Sequence, residues 1–521
     1  MENVLTNGIK KYVKYLPWVC LIGLFCFLSV YMWVCGDRLT DSDISSEMLL
    51  ARLLNEEHGL ISKNWFYSTE LRVLNIQIFY SFFFHIFRDW TMVRVATCIV
   101  SYLLMLVGYY YLLHQMGYDR IYAVSAIFLL LPVSDGYFEY VLLALLYASF
   151  ISISFFAIGM IFHYQKASAG MKKILLVLTV ILAFMAGMGG ARHVVVLYLP
   201  MLGAAVLYTL IQWMNTEKTG KGYLVCTLAG FVSSCAGYLV NSKVLAPACH
   251  FDTWAGVSFR VSAEGFYNLL FGTLRAFGYS YGDNPRTPVA SAFSCVLAFV
   301  MAACVFRTLW KKLKKPDTMW LLTLYFVGVY VLFLGMYTFT NMLYSDRYNM
   351  AAMVFAIPII VYNLFEIAWN KYQKWCVMGV LAVGILISSV NRYVHYGRMD
   401  KTEQLRPIVG YLTKEQGISE GYATFWNGNV LTELSDGQIE VWAWEDDMSD
   451  QYDAEEIMPW LQVVAHQTQK PQGRMFMLFS NEEYAVCPLK EALDRKEADY
   501  RSDDYLMFIF DSRKEMLQAV E

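Results

Sequence analysis

Residues 17–59 read PWVCLIGLFCFLSVYMWVC followed by GDRLTDSDISSEMLLARLLNEEHG, and this stretch decides the fold. The first part, 17–35, is apolar and uncharged, and as a helix it is long enough to cross about 30 Å of hydrocarbon. The second part is rich in acidic and hydroxyl side chains. Lys10, Lys11 and Lys14 precede the apolar run, and no small-residue cleavage site follows it. We therefore expect an uncleaved first span with a cytoplasmic N-terminus.

The rest of the chain has the same apolar character. Of its 521 residues, 57% are hydrophobic and only 16% are charged, whereas soluble domains contain about 25% charged residues. This composition excludes a soluble enzyme, a disordered protein, a collagen-like fibre and a disulfide-stapled secreted domain. It predicts an all-α multi-pass membrane protein with a small soluble C-terminal domain.

Charge divides the chain into two domains. Residues 401–521 contain 24 acidic and 11 basic residues, a net charge of −13, whereas residues 1–400 contain 20 acidic and 30 basic residues, a net charge of +10. We predict a polytopic transmembrane domain over 1–400 and a soluble extracytoplasmic α/β domain over 401–521. Neither part has a continuous basic patch, so we expect no nucleic-acid partner.

Short apolar runs in the tail predict its strands, and the segments between them predict its helices. The expected strands are 439–444, 475–479 and 505–510, and the expected helices are 451–466 and 488–497.

Twelve apolar segments are candidate spans. They are 17–35, 73–87, 93–113, 121–133, 141–162, 174–190, 194–213, 224–241, 290–309, 319–340, 349–368 and 375–392. Lysine and arginine concentrate in the loops 163–173, 213–223, 307–315 and 369–374, which favours a cytoplasmic position for all four.

The positions of those loops place 36–72, 242–289, 341–348 and the tail on the outer side of the cell membrane. A cytoplasmic N-terminus and an outer C-terminus require an odd number of crossings. One candidate therefore does not span, and we expect it to be 121–133, which is short and contains Pro132; 73–87 is the alternative. About eleven spans follow.

The outer loop 36–72 is the candidate catalytic segment. Apolar residues at helical spacing predict a short helix over 44–57, and Asp41 and Asp43 lie at its start. Asp43 can simply cap that helix. Alternatively, Asp41 and Asp43 form an acidic site that faces a membrane-embedded cavity, where a carboxylate acts as general base on an acceptor hydroxyl. The pair could also hold a hard divalent cation such as Mg²⁺ or Mn²⁺.

This order of elements resembles the GT-C membrane glycosyltransferases, which include protein O-mannosyltransferases and the aminoarabinose transferases of lipid A. Their pattern is an acid shortly after the first span, a surface helix with Ala-Arg eight and nine residues later, and then a glycine. Asp43, Ala51-Arg52 and Gly59 fit that spacing. The usual Asp-Glu pair is Asp43-Ile44 here, so Asp41 is the alternative equivalent acid.

Three further outer segments resemble bacterial members of this family. They are 189–193 (GGARH), 277–279 (FGY) and 345–348 (SDRY). The resemblance implies an enzyme that transfers a sugar from a polyprenyl-phosphate donor in the membrane to a glycan, lipid or protein acceptor of the cell envelope.

Such chemistry needs a base for the acceptor and positive charge for the departing phosphate. The candidate base is Asp43, with Asp41 as its partner. The candidate substrate-binding residues are Arg192, Arg347, His193 and Glu70. Each has a simpler interpretation: the arginines can contact lipid headgroups, the histidine can be hydrogen-bonded near the interface, and Glu70 can be a solvated helix end.

Two other outer segments are candidates for the surroundings of the cavity. Asp135 and Glu139 either share one helical face towards the cavity or form an ordinary turn. Residues 266–275 form an amphipathic stretch that we expect to be a surface helix over the cavity mouth.

Two other functions remain open. A flippase or transporter of a lipid-linked or small substrate would carry charges in the middle of its spans. Here the span interiors carry few charges and the acids lie in the outer loops, which favours surface chemistry. A polysaccharide polymerase or ligase is the third possibility.

Overall fold

The computed structural model describes residues 15–216, 221–252, 257–279, 288–342, 344–445 and 447–521. Lys10, Lys11, Lys14, Lys218 and the turn at 281–285 lie outside this part of the chain. Within it, ten helices are long and apolar enough to cross a membrane, and an additional bent pair of shorter helices also meets the test. The chain is therefore a mostly helical, multi-pass membrane protein.

The membrane portion consists of fifteen helices in the described residues. They are α1 (Leu16–Leu39), α2 (Ser42–Glu57), α3 (Gln77–Phe84), α4 (Trp90–Met116), α5 (Asp119–Leu130), α6 (Asp135–Tyr137), α7 (Ala148–Lys166), α8 (Ala169–Met188), α9 (Leu199–Thr216), α10 (Lys221–Val240), α11 (Glu264–Ala276), α12 (Pro288–Lys312), α13 (Thr318–Phe339), α14 (Asp346–Glu366) and α15 (Lys371–Arg398). Wider π-helical turns extend or begin three of them, at Phe138–Leu143, His193–Tyr198 and Asn241–Leu245. A two-residue parallel pair joins β1 (Phe66–Tyr67) and β2 (His250–Phe251).

The structure identifies 73–87, the alternative, as a candidate that does not span a membrane. For 121–133 the bend allows either a broken span or a re-entrant loop, so the expectation that this segment does not span stays a prediction. Segment 73–87 forms only the eight-residue helix α3, which is too short to cross hydrocarbon. Segment 121–133 instead supplies α5, which together with Asp135–Leu143 forms the pair bent by 97°. Pro132 lies at the bend, where a proline ends a helix because it lacks an N–H and clashes with the preceding turn. Ten helices and the bent pair give an odd number of crossings if the pair counts as one.

The loops separate into two sets at opposite ends of the bundle. At one end, Lys166 Nζ donates to the Gln115 carbonyl at 2.9 Å, Asn215 Nδ2 donates to the Leu313 carbonyl at 3.0 Å, and the Tyr118 hydroxyl donates to Asp317 at 2.8 Å. The lysine-rich loops therefore lie together. The opposite end carries α2, α11 and the C-terminal domain.

The core of the bundle lies around α7 and α14, which are buried over most of their length, whereas α8, α12 and α15 are largely exposed. Aromatic side chains fill the space between these two central helices. Phe355 makes edge-on contacts with Phe155 and Tyr325, with ring centroids 5.3 and 5.0 Å apart. Both central helices begin at the end of the bundle that carries α2.

The C-terminal domain is a small α/β domain with an open, five-stranded sheet. The order of its strands is β4 (Glu440–Trp444), β3 (Glu420–Thr424), β5 (Met475–Ser480), β7 (Tyr505–Phe510) and β6 (Tyr500–Arg501). Strands β3, β4 and β5 are parallel to one another, and β7 runs antiparallel to both of its neighbours, β5 and β6. Its elements are α16 (Leu405–Gly410) with a π-helical turn (Tyr411–Gln416), β3 (Glu420–Thr424), α17 (Phe425–Leu434), β4 (Glu440–Trp444), β5 (Met475–Ser480), α18 (Asn481–Val486), α19 (Lys490–Leu493), β6 (Tyr500–Arg501), β7 (Tyr505–Phe510) and α20 (Arg513–Val520).

The three strands predicted in the tail are therefore present, but two of its expected elements differ. The helix expected over 451–466 is wrong, because this segment is irregular and ends in a 3₁₀ turn at Val464–Gln467. The helix expected over 488–497 is reduced to α19. The first strand, β3, is an additional element that the sequence pattern did not indicate.

The C-terminal domain packs on α2 through polar contacts. Ser42 Oγ donates to the Trp426 carbonyl at 2.9 Å, and Asn429 Nδ2 donates to Ser46 Oγ at 2.8 Å. Beneath α17, Arg94 of α4 forms an ion pair with Glu433, and both side chains are almost fully buried. These contacts fix α2 between the membrane bundle and the sheet.

Candidate functional site

Asp41 caps α2 and is already engaged in two interactions. Its carboxylate accepts a hydrogen bond from the Ile44 amide at 3.2 Å and forms an ion pair with Lys401 at 2.8 Å. The first contact is a typical N-cap interaction, so Asp41, and not Asp43, is the capping residue. These two contacts connect α2 to the C-terminal domain.

Asp43 lies in the first turn of α2 and is exposed. It lies close enough to the Tyr140 hydroxyl to interact with it electrostatically, as Arg347 also does. Glu47, one turn further along the same face of α2, forms an ion pair with Arg72 at 3.4 Å. This face of α2 therefore presents two carboxylates to a basic region.

The basic region consists of three arginines around Tyr147. The Arg192 guanidinium lies over the Tyr147 ring, 4.5 Å from its centroid. Arg72 and Arg347 also interact electrostatically with the Tyr147 hydroxyl. Arg192 and Arg347 make no ion pair with any residue that the structure describes. The three arginines, Arg72, Arg192 and Arg347, are called the arginine cluster below.

Three helix N-termini lie near Tyr147. Tyr147 and Ser345 immediately precede the two central helices, α7 and α14, and Arg192 precedes the π-helical turn that leads into α9. Backbone N–H groups are unpaired at a helix N-terminus, and the helix dipole is positive there. Together with three guanidinium groups, these ends form a site suited to a phosphate group.

The turn that carries Tyr147 is strained. Leu145 is fully buried and has φ = +57°, in the left-handed region that leucine rarely adopts. A π-helical turn at Phe138–Leu143 precedes it, and the Tyr147 amide donates to the Tyr140 carbonyl at 3.1 Å. Strained residues and π-helical turns are concentrated at functional sites. Here they bring both Tyr140 and Tyr147 within reach of the Arg347 charge.

The Tyr147 hydroxyl is itself an unsatisfied group. It is buried and makes no hydrogen bond within the described residues. A buried hydroxyl without a protein partner is normally satisfied by water or by a bound molecule. The position of this hydroxyl, among three arginines, fits an acceptor oxygen of an anion.

Glu70 and His193 lie beside the arginine cluster in a small cavity of about 20 Å³. The cavity is lined by Glu70, Arg72, Leu74, Asn75, Leu146, Phe150, Gly189, Arg192 and His193. The His193 ring packs on Phe150 with centroids 4.8 Å apart. A cavity of this size holds about one water molecule, so these residues border the cluster and do not themselves enclose a sugar.

Gly190 is required for this arrangement. Its φ is +108°, and a Cβ atom there would lie 3.1 Å from Glu70 Oε2. Only glycine adopts this conformation readily. The bend at Gly190 turns the chain just after the end of α8, and this turn allows Arg192 to lie over Tyr147.

The remaining acidic candidates have other partners. Asp135 lies 3.6 Å from the buried Arg392, and Glu139 accepts a hydrogen bond from the Tyr396 hydroxyl at 2.8 Å. Asp346 lies 3.7 Å from Arg275 of α11. Asp135 and Glu139 therefore connect the bent pair to α15.

A metal site receives no support from the geometry. In the described part of the chain, no group of three or more His, Cys, Asp or Glu side chains could hold a metal ion. Asp41 is occupied by Lys401 and by its own helix. The suggestion that Asp41 and Asp43 share a cation is therefore not carried further.

A larger cavity, of about 220 Å³, lies on the other face of α2, against the C-terminal domain. Arg52, Glu56 and the hydrogen-bonded Glu440 and His466 are among its lining residues. Its polar groups are largely paired with one another: Arg52 with Glu56, and His466 with Glu440 and Gln462. Asp43 and Glu47 lie on the opposite face of the helix, so this cavity is separate from the arginine cluster.

Sequence reasoning missed several residues of the cluster. Arg72 was not among the candidate substrate-binding residues, and the structure pairs it with Glu47. Tyr140 and Tyr147 gave no signal, since single tyrosines near span ends are usual in membrane proteins. The one available clue was the spacing of Glu47 four residues after Asp43, which places both on one face of α2.

Comparison with protein-family models and with curated proteins finds no match to this chain.

Proposed function

We propose that this protein is an integral-membrane glycosyltransferase that moves a sugar from a polyprenyl-phosphate donor to an acceptor hydroxyl. The observation that carries the proposal is the convergence of Arg72, Arg192 and Arg347 around Tyr147, with Asp43 on the facing helix. A phosphate leaving group and a nucleophilic hydroxyl need these two kinds of side chain close together.

The reaction is a displacement at the anomeric carbon. The acceptor oxygen forms the new bond to that carbon while its proton passes to the Asp43 carboxylate. The bond between the carbon and the phosphate oxygen breaks, and the electron pair leaves with the polyprenyl phosphate. The arginine cluster stabilises the negative charge that develops on the departing phosphate.

The basic loops support an extracytoplasmic position for the transfer site. Lysine-rich loops are retained in the cytoplasm, and here they lie at the end opposite α2. In this proposal the transfer site and the C-terminal domain face the extracytoplasmic side of the cell membrane. The donor is then lipid-linked, and the acceptor is a glycan, lipid or protein of the cell envelope.

The proposal is tested with purified full-length protein in lipid nanodiscs and radiolabelled polyprenyl-phosphate sugars. Wild-type protein should bind the donor and release polyprenyl phosphate when an acceptor is present. Arg192→Gln and Arg347→Gln should each weaken donor binding about 10- to 100-fold, because each removes a charge-assisted hydrogen bond.

Two controls make the result specific. Arg474→Gln, on an exposed arginine of the C-terminal sheet, should leave donor binding unchanged. A polyprenyl alcohol without phosphate should not compete with the donor. Donor translocation across proteoliposomes without any transfer would instead support a flippase and contradict the proposal.

A further inference from the structure

The segment from Val257 to Ala276 exposes an unusual apolar surface at the outer end of the bundle. Residues 257–262 run beside the end of α13: the Arg260 amide donates to the Phe339 carbonyl at 3.1 Å, and the Ser262 amide donates to the Thr338 carbonyl at 2.8 Å. The side chains of Val257, Phe259 and Val261 alternate along this stretch and are 71%, 80% and 65% exposed.

Helix α11 continues the same surface. Phe266, Tyr267 and Leu270 lie on its outward face and are more than half exposed. Its inward face is made of small residues that allow close approach: a Cβ atom on Gly265 would lie 2.4 Å from the Tyr337 backbone, and one on Gly272 would lie 1.5 Å from the Tyr344 hydroxyl. The helix is thus fixed against the bundle by one face, and its apolar face points away from the protein.

This surface is continuous with the lipid-facing side of a span. Phe259 stacks on Phe339, the last residue of α13, with ring centroids 6.5 Å apart and planes 7° apart. Phe339 and Val331 of α13 are both exposed, as expected for side chains that face lipid. Two exposed cations, Arg260 and Arg275, flank the apolar residues, where they can reach lipid phosphates.

We propose that residues 257–276 form an interfacial membrane element, with the faces of Phe259, Phe266, Tyr267 and Leu270 immersed in the outer leaflet. Contiguous apolar patches of this kind mark membrane or protein contact, and an amphipathic helix with aromatic residues on its apolar face lies in the plane of the interface. The partner is the bilayer because the apolar patch continues without interruption into the lipid-facing surface of α13.

The consequence is that lipid reaches the edge of the arginine cluster. Arg275 of α11 lies 3.7 Å from Asp346, the neighbour of Arg347. The sequence predicts a surface helix over the cavity mouth, and the proposal adds that the outward face of this helix lies in lipid and not in water. This inference needs only that the bundle spans a membrane, and it holds whatever the chemistry at Asp43.

The test uses full-length protein in lipid nanodiscs with a fluorinated phenylalanine (4-trifluoromethyl) at one position at a time. Fluorine relaxation is measured with dissolved oxygen, which concentrates in the bilayer, and with a water-soluble nickel chelate. Position 266 is compared with position 299 of α12, where Phe299 is 74% exposed on a span, and with position 452, where Tyr452 is 77% exposed on the C-terminal domain.

The expected result is an oxygen-to-nickel relaxation ratio at position 266 that matches position 299 and is severalfold higher than at position 452. A ratio equal to that at position 452 would overturn the proposal in favour of a water-exposed lid. Protection of position 266 from both reagents would overturn it in favour of contact with a second protein copy. The same measurement at position 267 guards against a local distortion caused by the label at position 266.

Discussion

Glu433 is expected to hold the C-terminal domain on the membrane bundle, and Glu433→Ala should weaken that attachment severely. Arg94 Nε donates to Glu433 Oε1 at 2.9 Å, and the two side chains are 1% and 5% exposed. Removing the carboxylate leaves the Arg94 guanidinium buried without its counter-charge. Breaking a buried pair in this way costs about 3–5 kcal/mol.

Hydrogen exchange of the amides in α17 measures this effect, because local opening of the interface limits their exchange. If the free energy of opening falls by about 3–5 kcal/mol, exchange of these amides should become faster by about two to four orders of magnitude. As a matched control, Asp511→Ala breaks the exposed pair with Arg474 and should change stability by less than about 1 kcal/mol.

The double variant Arg94→Met, Glu433→Leu separates the contribution of the ion pair to stability from the contribution of side-chain packing. With both charges removed, most of the loss should be recovered, since a buried pair is often no more stabilising than apolar side chains of similar size. Equal exchange rates in Glu433→Ala and the wild type would refute the docked position of the domain.

Two further perturbations have expected outcomes that differ in kind. Gly190→Ala should destabilise the protein by about 1–3 kcal/mol, because alanine is strained at φ = +108°. Gly203→Ala, inside α9 where a Cβ meets nothing within 4 Å, should be neutral or stabilising by up to about 1 kcal/mol in the same thermal unfolding assay. The hydrogen bond from His466 lowers the pKa of Glu440, although burial opposes it. Glu440 should therefore add a small stability that is present above its unfolded pKa and is lost as the pH falls through its lowered folded pKa. Glu440→Gln should flatten the dependence of the unfolding free energy on pH in that range. An unchanged dependence would contradict the stabilising hydrogen bond between His466 and Glu440.

The sequence predicts the bundle well because long apolar runs and basic loops carry most of the signal. It fails where a run is short. Segment 73–87 is as apolar as a span, but the chain leaves the helical conformation near His85, so α3 packs beside α2 at the outer end. Hydrophobicity measures how much surface must be buried and does not say whether lipid or protein buries it.

The site is predicted only in part for a related reason. Arg192 and Arg347 were found because they lie at span ends, and the structure brings both to Tyr147. Their meeting point depends on the left-handed Leu145 and on three helix ends that are distant in sequence. Local patterns contain no information on such convergence, which explains why Arg72 and Tyr147 were missed.

The most direct test of the central claim compares two aspartates that are two residues apart. Asp43→Asn should lower the rate of sugar transfer at saturating donor by about 10²- to 10⁴-fold and leave donor binding unchanged. Asp41→Asn should retain near wild-type transfer, because asparagine caps a helix as well as aspartate does. Undiminished transfer by Asp43→Asn, or an equal loss in Asp41→Asn, would contradict the assignment of Asp43 as the base.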